Sequence, residues 1–231
     1  MKKFVWFASL LLLLPLAMRA DIVEGFNDIS TLSGNGWVMV NNSSPVGTTG
    51  WFQGDPFIFS AQAGPTDSYI AANFNNAAFG GNISNWLLTP VIDLSVANHI
   101  TFFTRTETGS FFPDSLEIRL SSNGSSSFVG ASATSVGDFT TLLLSINPSM
   151  SVGGYPETWT QYTIDLTAMG GGSSGRLGFR YLVTDTSVNG DYIGIDTFSQ
   201  TTAAAVPEPV TLLTLGTGIL GIAARRLKVR R

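Results

Sequence analysis

Between Asp21 and Val206 apolar and polar residues tend to alternate, and no stretch keeps an apolar 3.6-residue period over three turns. SLEIRLSS puts Leu116, Ile118 and Leu120 on one face, with Glu117 and Arg119 on the other. QYTIDL opposes Tyr162, Ile164 and Leu166 to Thr163 and Asp165. RLGFRYLV lines up Leu177, Phe179, Tyr181 and Val183. IVEGF, GWVMV, SYIAANF, NWLLTPVIDL, HITFFTR, FTTLLLSI and DYIGIDTF are short runs rich in β-branched and aromatic residues. Turn formers separate the runs: SGNG, NNSSPVG, QAGPTD, FGGN, SNGSSS, MGGGSSG and SVNG.

About ten strands with no helix between them predict one all-β domain, an antiparallel β-sandwich of jelly-roll type, over residues 21–202. In NWLLTPVIDL, Trp86 and Leu88 point one way and Leu87 the other. Pro90 has no N–H and belongs at an edge or bend, which predicts a strand that crosses a sandwich corner. A sandwich buries half of each strand, and this accounts for an apolar content of 44%.

The two ends depart from this pattern. Lys2 and Lys3 precede an apolar run from Phe4 to Leu16, with small residues Ala17 and Ala20 near a cut before Asp21. Residues 1–20 therefore read as a helical secretory signal peptide. At the other end, Val210 to Ala224 holds no charge, and as a helix it spans about 22 Å. That is short of a hydrocarbon core of about 30 Å, but flanking basic residues can snorkel. The expectation is a C-terminal transmembrane helix within residues 210–231. Arg225, Arg226, Lys228, Arg230 and Arg231 close it and hold the end on the cytoplasmic side. Pro207 and Pro209 keep the junction 203–209 extended, uncovered and free of strand.

Charge is distributed unevenly. Between Asp21 and Val206 there are fifteen Asp and Glu, four arginines (Arg105, Arg119, Arg176, Arg180) and no lysine, a net of −11. Such a surface repels phosphate backbones and excludes nucleic acid as a partner. It suits divalent cations and solubility outside the cell. The absence of cysteine rules out disulfides, thiol catalysis and cysteine metal sites.

Little in the body points to catalysis. His99 is the one histidine, and it reads as a surface residue where a turn enters a strand. No G-x-S-x-G elbow accompanies it, and one histidine without cysteine does not make a zinc site. Fifteen acids in a sandwich leave paired carboxylates for glycoside hydrolysis open, but no spacing singles out a pair. Trp37, Trp51, Trp86 and Trp159 are core candidates. Trp51 and Phe52, in a loop between TTG and QGD, are the residues best placed to stack on sugar rings, and FFPD (residues 111–114) is a second aromatic loop.

Two resemblances sharpen these readings. EGF (24–26), GW (36–37), DSYIAANF (67–74), SNWLLTPVIDLS (84–95) and DYIGIDTF (191–198) together resemble the choice-of-anchor J family, secreted β-sandwiches related to cleaved-adhesin and MAM-like jelly rolls. The chain departs from that pattern at Thr197, where a second acid is usual. The resemblance implies a calcium ion between the first and last strands, held by Glu24 and Asp196, with Asp67 or Ser68 next and Asp28 or Asp191 last as candidate further ligands. The order Val206-Pro207-Glu208-Pro209, short Gly-containing helix and Arg-rich end is similar to the PEP-CTERM sorting signal. That likeness implies processing by a membrane-embedded exosortase. The combined expectation is an exported, non-enzymatic surface or matrix protein that is structural or adhesive in exopolysaccharide or biofilm. The competing reading is a carbohydrate-binding module or a glycan-active enzyme at the cell surface.

Overall fold

The computed structural model describes residues 21–170 and 173–202. Thirteen strands form: β1 (Ile22–Glu24), β2 (Val38–Asn41), β3 (Ser44–Val46), β4 (Phe52–Gln53), β5 (Ile70–Asn73), β6 (Ala77–Leu88), β7 (Ile92–Asp93), β8 (Asn98–Thr106), β9 (Leu116–Ser121), β10 (Thr141–Ile146), β11 (Thr160–Leu166), β12 (Ser174–Val183) and β13 (Tyr192–Thr202). Two short 3-10 turns, Ile29–Thr31 and Phe74–Asn76, are the helical elements among the described residues. None of those residues form a helix long and apolar enough to cross a membrane. The expected signal helix, junction and C-terminal helix lie outside the described residues.

Every pairing is antiparallel, and the strands form two sheets. One runs β11-β8-β13-β5-β4, with β1 also on β13. The other runs β10-β9-β12-β6-β2, with β3 on β6 and β7 on β12. The predicted alternations fill the space between them. Leu116, Ile118, Leu120, Leu177, Phe179, Tyr181 and Val183 meet Ile100, Phe102, Ile193, Ile195 and Phe198 in one core. The sheet forms because each alternate residue leaves water on packing, worth roughly 1.5–3 kcal/mol for a fully buried Leu or Phe.

Both outer faces are covered as well. Val129 and Phe139, from the β9–β10 connection, pack on Trp86 and Leu88. Over the other sheet, Phe59, Tyr69, Ala71 and Tyr192 form a cluster that Phe52 and Trp159 join. Trp86 and Leu88 thus face away from Leu87, which lies in the central core, as the pattern predicts.

Three expectations are corrected. FGGN (79–82) is not a turn: it lies inside β6, where Gly80 takes φ +75° and Gly81 sits against Ser44 and Pro45. A Gly pair permits a kink within a strand as readily as a turn between strands. NNSSPVG is not wholly a turn, because Ser44–Val46 pairs with β6. NWLLTPVIDL does not cross a corner: β6 and β7 both run along β12, interrupted at Pro90. Thr89 bridges the gap, donating its N–H to Leu177 O and accepting from Leu177 N at its hydroxyl. Arg176 holds the interruption in place through Thr89 O and Gly36 O.

A bulge in β13 sets the facing of its second half. Asp196 pairs with Phe103, but Ser199 pairs with Thr101, so one extra residue is inserted. Thr197 takes it up at φ +49°, which a β-branched residue rarely adopts. The shift turns Phe198 inward against Trp37, with ring centroids 5.2 Å apart.

Candidate binding site

Period-2 alternation separates two neighbours that read alike in the sequence. Trp51 points into the central core and is 7% exposed, so it is withdrawn as a sugar-stacking residue. Phe52 points to the opposite face and packs edge-on against Tyr192, centroids 5.8 Å apart. Gly54 follows because the Tyr69 ring occupies the space a Cβ would need.

The loop after β4 is pinned by two tyrosines. Tyr69 donates its hydroxyl hydrogen to Asp55 O at 2.7 Å. Tyr192 Oη accepts from Asp55 N at 2.9 Å and lies 3.0 Å from Tyr69 Oη, so Tyr192 is left to donate to Tyr69. Burial pushes the Tyr69 phenol far above its ordinary range. Asp55 Oδ1 accepts from Phe57 N, a turn that leaves Phe57 96% exposed. On the same sheet, the Arg105 guanidinium stacks 4.3 Å over the Phe59 ring, and burial lowers its pKa.

These constraints leave an open groove of about 310 Å³. That is the lower end of the range for small-ligand sites, roughly 300–1,000 Å³. Phe52, Phe74, Tyr192 and Ile58 line it together with three acids, Asp55, Glu107 and Asp191. Phe74 is 46% exposed and is fixed by its N–H on Asp191 O. Asn73 caps the 3-10 turn that carries it. No Lys or Arg is part of the lining. Gly190 N donates to Pro113 O, which brings the exposed Phe111 and Phe112 to this same end of the sandwich. Sequence reasoning found Phe52 and the FFPD loop but missed Phe74, Glu107 and Tyr192, whose segments are far apart in the chain.

The groove lies at the opposite end of the sandwich from Thr202, the last described residue. Tyr192 begins β13 and pairs with Asn73. Thr202 ends it and pairs with Asn98. The strand holds eleven residues, so ten steps of about 3.3 Å put its ends some 33 Å apart. Asp21 accepts from Thr202 N, so the body begins and finishes at one place.

Two of the three carboxylates expected to hold calcium, Glu24 and Asp196, are bonded to backbone amides. Asp196 is fully buried. Its Oδ2 accepts from Gln62 N and Ala63 N, and its Oδ1 from Thr197 N. Burial raises its pKa even so. Glu24 accepts from Phe26 N, and Asp67 is exposed. Among the described residues no three His, Asp or Glu side chains converge on one point. Ser68 is buried with its hydroxyl unpartnered, but Glu24, Asp67 and Asp196 as they stand do not compose the oxygen cage calcium needs. His99 is an exposed residue of β8, and its Nδ1 lies 2.6 Å from Asp165 Oδ1 on β11. The sorting residues Val206 to Pro209 and the basic cluster lie outside the described residues.

Comparison with known proteins agrees with both halves of the reading. Residues 205–231 match the PEP-CTERM protein-sorting motif, which marks an exported protein with a C-terminal signal for exosortase processing. The described body shares its fold with cleaved adhesin domains of the Lys-gingipain of Porphyromonas gingivalis. The K1 domain gives a TM-score of 0.57 at 22% identity, over 80% of this chain and 100% of that one. The K2 domain gives 0.53 at 21%, over 80% and 99%. The K3 domain gives 0.50 at 18%, over 79% and 99%. No curated protein matches the chain in sequence. The described body thus has the jelly-roll fold of these cleaved adhesin domains, consistent with the choice-of-anchor J resemblance, and residues 205–231 carry the PEP-CTERM motif.

Proposed function

We propose that this chain is a non-enzymatic adhesive or structural component of the extracellular polysaccharide layer, anchored through its tail until an exosortase processes it. The match at residues 205–231 carries the reading, because a sorting signal is useful only to a protein that is handled at the membrane after export. The test is the intact mass of the protein recovered from producing cells and their medium. Loss of the signal and of residues beyond the Pro207-Glu208-Pro209 motif supports it. Retention of the Arg-rich end removes the exosortase from the account and leaves a permanent anchor.

The groove favours a second element of this reading, contact with a glycan. It combines the exposed Phe74 and the half-buried Phe52 with carboxylates and the amides of Asn73 and Asn75, and it lies at the end away from Thr202.

A further inference from the structure

We infer that the groove beside Phe52, Phe74 and Tyr192 takes an amino sugar with a free, protonated amine, within a glycan polymer. The inference deepens the glycan-contact reading and rests on it.

The groove joins two recognition elements. Phe52 and Phe74 bring apolar ring surface to the groove lining, which suits the C–H face of a pyranose. Asp55, Glu107 and Asp191 add three carboxylates with no basic residue in the lining to neutralise them. Asp55 holds Phe57 N with one oxygen, and Asp55, Glu107 and Asp191 are all only partly buried. An ammonium group over aromatic faces is attracted by the ring quadrupole as well as by the carboxylates.

The same charges exclude the alternatives. A uronic or sulfated polymer meets three carboxylates in the groove and a body of net −11, and is repelled. A neutral or N-acetylated sugar can stack, but it leaves the carboxylates without a charge partner. An ammonium-bearing sugar satisfies both elements. Asn73 and Asn75 flank the groove with amides able to bond ring hydroxyls.

The test uses the full chain in mild detergent, titrated calorimetrically with β-1,4-linked glucosamine oligomers and with N-acetylglucosamine oligomers of equal length. The glucosamine oligomer is expected to bind at least about tenfold more tightly, a difference of about 1.4 kcal/mol. Its advantage should shrink with added salt as exposed charges are screened. Glu107→Gln and Phe74→Ala should each weaken binding by roughly five- to tenfold. Asp21→Asn, at the opposite end, should leave it unchanged. Equal binding of the two oligomers overturns the inference. So does an Asp21→Asn loss as large as that of Glu107→Gln, which would mean diffuse attraction to an acidic body. Equal competition by an oligolysine of matched charge also overturns it, since the groove would then read charge without sugar. If neither oligomer binds, the inference fails, while retention of the protein in matrix preparations would separately sustain the glycan-contact reading.

Discussion

Tyr181 donates its hydroxyl hydrogen to the buried carboxyl of Asp114 at 2.6 Å. Asp191 N donates to the same oxygen, and Thr106 Oγ1 lies 2.5 Å from the other. Thr106 Oγ1 is also 3.0 Å from Tyr192 O, a group that can only accept. One hydroxyl proton cannot serve both oxygens. The arrangement is complete when Asp114 is protonated and donates to Thr106, which then donates to Tyr192 O. Burial raises the Asp114 pKa to about 6, in line with that geometry.

The folded state therefore binds a proton more tightly than the unfolded chain, where the carboxyl has its ordinary value of 3.8. Stability from this group is full below the unfolded value and falls as pH rises toward 6, by at most about 3 kcal/mol. Asp114→Asn keeps acceptors for Tyr181 and Asp191 and supplies a permanent donor to Thr106. Urea unfolding from pH 4 to 7 should show a declining stability for the wild type and a flatter line for the variant. Equal slopes would remove Asp114 as the source.

Arg180 lies beneath the β9–β10 connection, bonded to Glu117, Ser84 Oγ and Ala133 O. Burial alone would raise the Glu117 pKa, but Arg119 and Arg180 hold it low. Arg180→Met leaves the buried Glu117 carboxylate with Arg119 as its remaining cation and should cost about 2 kcal/mol. Adding Glu117→Gln should recover part of that loss, as a double-mutant cycle in chemical denaturation would measure. A double variant as unstable as the sum of the singles would show the pair to be uncoupled.

Trp51 and Phe74 should separate stability from binding. Trp51→Ala opens a cavity in the central core and should cost roughly 3–5 kcal/mol. Phe74→Ala removes a half-exposed ring and should shift the thermal midpoint by little, within about 0.5 kcal/mol. Thermal scans of both variants check this. A large loss for Phe74→Ala would make that ring structural.

Calcium and a chelator should give thermal midpoints within about 1 °C of each other, because a ligand stabilises only a state that binds it. A rise of several degrees in calcium would mean that Asp196 exchanges its amide partners for the ion.

Much of the fold is legible because strand facing has a period of two. Each of the ten strand runs contains strand, and the inward sets of β9, β11 and β12 are those the alternation predicts. What escapes is short or ambiguous. β3 and β4 span three and two residues, too few for a periodic signal. Gly80 and Gly81 have the composition of a turn inside a strand. Trp51 and Phe52 are adjacent aromatics whose opposite fates depend on which face β5 accepts, a tertiary fact. The groove is harder still: Phe52, Phe74, Glu107 and Tyr192 come from four separated segments, and only sheet order brings them together.

The course of β13 has a mechanical consequence. If the groove holds a polymer while the tail is fixed at the membrane, tension enters near Tyr192 and leaves at Thr202. The pull is then directed along the strand, so the ladders to β8, β5 and β1 are loaded in shear, with many hydrogen bonds resisting together. A body tethered through a hairpin at the groove end would instead be peeled open one bond at a time. With Asp21 and Thr202 together at one end and the groove at the other, the sandwich acts as a tie under load.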